Sequence, residues 1–218
     1  MGLAGWAVQA RALDLSELDA ASGLRTALTR GAQAAVSALG RADGFLGNPR
    51  VRIPLPAWLE KSSGMLRTLG QGPKLDQLHT TMNRAAEAAV PEAKGLLVDA
   101  VKAMSVSDAR HIIDGGDTSV TQFFADKTRE PLGLKFLPIV TRATERVSLA
   151  QRYNSLAGRA VSLGLIDKSD NTNIQQYVTT RALDGLFLMI GEEEKKIRQD
   201  PVGTGSALLQ RVFGSLKK

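Results

Sequence analysis

The sequence predicts an all-α fold, a compact single-domain multi-helix bundle with one short extended arm. Three observations predict it: apolar residues recur at three- and four-residue spacing along most of the chain, prolines punctuate the starts of those periodic runs, and strand-like alternation occurs in one place only. Taken in order, Ser16 followed by Asp19 has the form of a capping box, and Leu18, Ala21, Leu24, Leu28, Ala32, Ala35 and Leu39 then trace one apolar stripe up to the glycines at 40 and 44. Asn48 to Pro56 carries three prolines and cannot be helical. Val51, Ile53 and Leu55 alternate there with Arg52 and Pro54, so the arm at about 48–56 is extended, with one side on the core.

Helices are expected near 57–69, 74–89, 92–104, 107–113, 118–127, 130–147, 149–163, 173–199 and 205–213, with Pro73, Pro91 and Pro131 in first turns, where a missing N–H does no harm. Asp167 to Asn173 reads as a polar loop, and the segment 183–190 is apolar around most of its circumference, as a central helix would be.

Composition bounds the chemistry. The 218 residues contain no cysteine, which excludes thiolate zinc sites, iron–sulfur clusters and cysteine nucleophiles. No cofactor is called for. The net charge of +6 favours anionic neighbours, but the basic residues are dispersed and two Trp and two Tyr provide few platforms for stacking bases, which argues against nucleic acid. The longest apolar run, Leu186 to Ile190, falls far short of the roughly 20 residues that span a bilayer, so membrane contact, if any, is peripheral. At the start of the chain, Gly2 to Val8 is small and apolar and Ala10-Arg11-Ala12 has the small-x-small form of a signal-peptidase site. Residues 1–12 are therefore expected to be the remnant of a signal peptide, 13–218 one soluble helical domain, and the protein periplasmic.

Several strings then carry a resemblance: Asn83-Arg84-Ala85-Ala86-Glu87 with Val90-Pro91-Glu92-Ala93-Lys94, Gly115-Gly116-Asp117-Thr118, Lys135-Phe136-Leu137-Pro138, and Ala182 to Ile190 followed by Glu192-Glu193-Glu194-Lys195-Lys196-Ile197-Arg198. In this order they resemble the bacterial family known as domain of unknown function 4197, over about Leu15 to Phe213. What the resemblance implies is a helical fold and export, behind a signal peptide or a lipoprotein signal. It implies no activity, and the absence of cysteine fits a member without a lipid anchor.

Among residues that could carry chemistry, Glu193 stands out, because Leu186, Ile190, Glu193 and Ile197 follow +4, +3, +4 spacing and share a helix face. A carboxylate on a core stripe must be paired or sit at a pocket edge. Exposed turn, buried ion pair and ligand site all stay open for it, while Glu192 with Lys196 and Glu194 with Arg198 read as solvated i,i+4 pairs. Asn83, Arg84 and Glu87 flank an apolar stripe of Leu75, Leu78, Met82, Ala85, Ala86 and Ala89. Arg84 could clamp an anion there, or pair with Glu87 or Glu193. Asp117 reads as a helix N-cap, and Lys135 and Asp184 complete the ligand-binding candidates. Asp76 with His79 and Asp108 with His111 repeat an i,i+3 carboxylate–imidazole pair, the only spacing suggestive of a metal, though such bundles use Glu in that motif. No serine has the surroundings of a nucleophile.

These features favour a non-enzymatic periplasmic helical module that binds a protein partner or an amphipathic or anionic ligand. The alternatives are an enzyme built on Glu193 with Arg84 and Asp117, and a structural or assembly-supporting protein of the cell envelope.

Overall fold

A computed structural model describes residues 4–162 and 173–199. The helix expected at 205–213 and most of the polar loop 167–173 lie outside these residues. The fold is all-α, and the described residues contain no strand. Its helices are α1 (Ala4–Leu39), α2 (Ala57–Thr68), α3 (Gly72–Ala89), α4 (Ala93–Lys102), α5 (Val106–Asp114), α6 (Ser119–Thr144), α7 (Ser148–Ser162) and α8 (Ile174–Gln199), with a 3-10 turn at Val90–Glu92.

Two boundaries depart from the sequence reading. Ser16 does not start a helix, because α1 already begins at Ala4 and continues through it; the alanine-rich stretch before Ser16 is itself a good helix former. Pro131 is not a first-turn proline either. The helices expected at 118–127 and 130–147 are one, α6, with Pro131 and Pro138 inside it. A proline leaves the carbonyl four residues earlier without a donor, and those carbonyls belong to Lys127 and Leu134, both at exposed positions where water can serve them.

Contacts gather the chain into two compact units. The first comprises residues 1–35, 95–128 and 189–218. Its core is built from Leu24, Ala27 and Leu28 of α1, Leu97 and Val101 of α4, Ile112 of α5, Phe123 and Phe124 of α6, and Ile190 and Ile197 of α8. Helix α5 begins with a reciprocal capping box between Ser105 and Asp108, and Arg25 of α1 donates to the carbonyl of Met104 at 2.7 Å. Helices α8 and α6 approach closely: a methyl group on Gly191 would lie 2.8 Å from the Thr121 hydroxyl.

The second unit comprises residues 36–94 and 129–188. Its core holds Leu39, Phe45, Ile53, Leu59, Leu75, Leu78, Met82, Leu132, Phe136, Val140, Val178 and Leu186, all but fully buried. Here the Phe45 ring lies directly on the backbone of α8, since a Cβ at Gly185 would sit 2.7 Å from the ring. The alternation read from the arm holds: Val51, Ile53 and Leu55 are buried while Arg52 and Pro54 face outward. The arm is extended only from Arg52, however, because its first residues form a tight turn in which Val51 and Arg52 donate to the carbonyl of Asn48 at 3.2 and 2.8 Å.

Candidate functional site

Among the described residues the arm has no sheet partner, so its backbone polar groups need side chains. Asn83, fully buried on α3, supplies them. Its Oδ1 accepts from the N–H of Ile53 at 2.8 Å, and its Nδ2 donates to the carbonyls of Ile53 at 3.0 Å and His79 at 2.9 Å. One turn later Glu87, also buried, accepts from the N–H groups of Phe45 and Leu46, each at 3.0 Å, through Oε1. Its Oε2 takes Arg84 at 2.7 Å, and the same guanidinium reaches Asp43 at 2.8 Å. Asp43 sits at φ +63°, a left-handed conformation that aspartate tolerates better than most residues. The trio expected to flank the core therefore fastens the turn and the arm onto α3, and Arg84 pairs with Glu87 rather than with Glu193.

Fixing Ile53 inward forces its neighbours outward, and they border a cleft of about 380 Å³ between the arm, α2 and α3. Pro49, Pro54, Leu55 and Leu75 form its apolar part. Arg52, Glu60, Arg67, Asp76 and His79 form its charged part. Arg67 and Asp76 are joined by two hydrogen bonds, at 2.6 and 3.3 Å, that tie α2 to α3. This pairing holds the Asp76 carboxyl below its ordinary value and raises the guanidinium, which also feels Glu60. The Arg52 guanidinium has no ion-pair partner among the described residues. The arm's alternation already placed Arg52 on the outer side; that this side borders a cleft depends on where α2 packs, which periodicity does not encode.

The carboxylate on the core stripe of α8 is Glu194, not Glu193. Glu193 is partly exposed and pairs with Lys196 at 2.6 Å, whereas Glu194 is 3% exposed. The pair expected to be solvated is thus a buried one: Glu194 Oε1 accepts from Arg198 at 2.8 Å and, more distantly, from the N–H of Val120 at 3.4 Å. Arg198 Nη2 also donates to the carbonyl of Ile112 and to the Ser119 hydroxyl, each at 2.8 Å. A cation thereby meets the C-terminal end of α5 and an anion the N-terminal end of α6, which suits both helix dipoles. Glu194 Oε2 is buried without a partner, and burial pushes the carboxyl above its ordinary value against the pull of Arg198.

The remaining candidates are dispersed. Asp184 accepts both Arg129 Nη groups at 3.0 Å, and Lys135 is exposed. Asp117 is exposed in the turn before α6, one residue too early to be its N-cap, because the helix starts at Ser119. Asp108 belongs to the α5 capping box, and its carboxyl is lowered by the Ser105 backbone and hydroxyl. It borders a second cleft, of about 460 Å³, with His111, Gln122, Asp126 and Lys127. Both histidine-paired aspartates are thus committed to protein partners, and no group of three metal-ligating side chains occurs among the described residues. No helix among them is long and apolar enough to cross a membrane.

The model of a family described as a protein of unknown function (DUF4197) matches residues 14–214. Comparison with curated proteins and with solved structures returns no match.

Proposed function

We propose that this chain, which belongs to the DUF4197 family of proteins of unknown function, is an exported periplasmic binding module and not a catalyst, and that the cleft of its second unit takes a small amphipathic ligand. One observation carries the reading. A cleft of about 380 Å³ lies within the range of small-molecule sites, and it combines an apolar part, two exposed prolines together with the all but buried Leu55 and Leu75, with a charged part. The side chains a catalyst would draw on are bound elsewhere. Asn83 and Glu87 hold backbone, and Glu194 holds Arg198.

Titration calorimetry with a series of straight-chain carboxylates from acetate to decanoate tests the cleft. Affinity should climb with chain length until the apolar part is filled, at about 0.8 kcal/mol for each methylene buried; an affinity indifferent to chain length would sink the reading. Export is supported by the small-x-small run at Ala10-Arg11-Ala12 and is tested separately, by the mass of the protein recovered from cells. A mature chain beginning at Leu13 in the periplasmic fraction is the expected result, and an uncleaved chain confined to the cytosol the contrary one.

A further inference from the structure

We infer that Arg52 is the residue that recognises the ligand's head group and that this group is an anion, a carboxylate or a phosphate. The inference rests on the cleft reading above and names the chemistry of that site. The charged part of the cleft is unevenly committed. Asp76 is held bidentately by Arg67, while Glu60 is exposed and touches that guanidinium only as the weakest of its charge neighbours. Of the cleft's basic side chains, Arg67 is spent on Asp76 and His79 acts on the same carboxylate, which leaves the guanidinium of Arg52, with no ion-pair partner among the described residues, as the cation open to a ligand.

Arg52 is also placed in advance. Its neighbour Ile53 is gripped at both N–H and carbonyl by Asn83, and its own N–H donates to the carbonyl of Asn48, so its backbone is fixed on two sides before any ligand arrives. A guanidinium carried on such a backbone offers a planar fork that matches carboxylate or phosphate oxygens, with less freedom to lose than on a mobile loop. Pro49 and Pro54, exposed on either side of it along the chain, border the same cleft as apolar surface for a chain attached to that head group. Asn83 is accordingly a positioning residue for Arg52.

The test is calorimetric titration of the intact protein with four probes: decanoate, decyl phosphate, decyltrimethylammonium and inorganic phosphate. Decanoate and decyl phosphate should bind, the ammonium amphiphile should bind at least tenfold more weakly, and Arg52→Glu should reduce affinity for both anionic amphiphiles roughly tenfold or more. Arg52→Lys should lie between, because the charge stays and the fork is lost. Circular dichroism and thermal melting of each variant confirm that the fold is kept, as expected for a change at an exposed side chain. The two anionic amphiphiles separate carboxylate from phosphate recognition, and inorganic phosphate alone should bind far more weakly than decyl phosphate. Equal binding of all three amphiphiles, or affinity unchanged in Arg52→Glu, overturns the anion inference while leaving the cleft intact. If no amphiphile binds, the cleft reading falls and this inference falls with it.

Discussion

Among the described residues two carboxylates are buried to nearly the same depth, Glu87 in the second unit at 4% exposure and Glu194 in the first at 3%. They are satisfied in different ways. Glu87 divides its work: one oxygen takes two backbone N–H groups, and the other takes an arginine that is itself half exposed. Glu194 crowds its partners onto one oxygen and leaves the other with none. Fixed backbone donors cost no side-chain entropy to orient, and spreading partners over both oxygens leaves neither oxygen without one. The first arrangement is a fastening. The second leaves one buried oxygen unsatisfied, a cost offset in part because its two charges suit the ends of α5 and α6.

Removing Arg198 should have the largest effect. In Arg198→Ala the Glu194 carboxylate is left buried and unpaired, and stability in urea denaturation at neutral pH should fall by about 3–5 kcal/mol. The loss should shrink on acidification, as Glu194 takes up a proton. Glu87→Ala removes no buried charge's partner but strands the N–H groups of Phe45 and Leu46, and should cost about 2–4 kcal/mol by the same measurement, with little dependence on Arg84, which solvent can reach.

A finer test follows pH. Because Glu194 binds its proton more tightly folded than unfolded, its contribution to stability is largest below the ordinary carboxylate value of 4.5 and declines as pH rises from there through the raised folded value. Denaturation of wild type and Glu194→Gln across that window should show this decline in the wild type and its absence in the variant; parallel curves would mean that burial does not govern this carboxyl. Smallest of all should be Arg129→Ala. Its bridge to Asp184 is about half exposed and its guanidinium lies 5.0 Å from the Phe187 ring, so about 0.5–1 kcal/mol is expected. A loss as large as that of Arg198→Ala would show that burial is not what separates the two kinds of pair.

Much of the helical fold was legible in the sequence, because spacing and punctuation act within a turn or two of helix. The apolar stripe of α3 and the starts of α2, α7 and α8 follow from local rules. What escaped depends on partners far along the chain. Ile197 lies four residues from Glu193 and three from Glu194, and both spacings are helical, so the pattern could not say which of the two turns inward. The α5 and α6 ends that receive Glu194 decide it. Pro131 looked like a start because its cost depends on whether the carbonyl at Lys127 can reach water. Asn83 and Glu87 were visible as polar residues at i,i+4 beside a core. Their partners, the backbone of Ile53 and of Phe45 and Leu46, lie 30 to 42 positions away and carry no side-chain signal.

The Asn83 amide also bears on how the arm could pair with other molecules. An extended, half-apolar segment outside any sheet is the kind of stretch that recruits a strand from another molecule. From Ile53 to Pro56, however, the N–H and carbonyl of Ile53 are both held by Asn83, the carbonyl of Pro54 accepts from the Tyr177 hydroxyl at 3.2 Å, and Pro54 and Pro56 have no N–H to offer. Leu55 supplies the only other N–H in that stretch. The Asn83 carboxamide, the Tyr177 hydroxyl and the two prolines together leave few backbone groups in this stretch for a strand of another molecule to pair with.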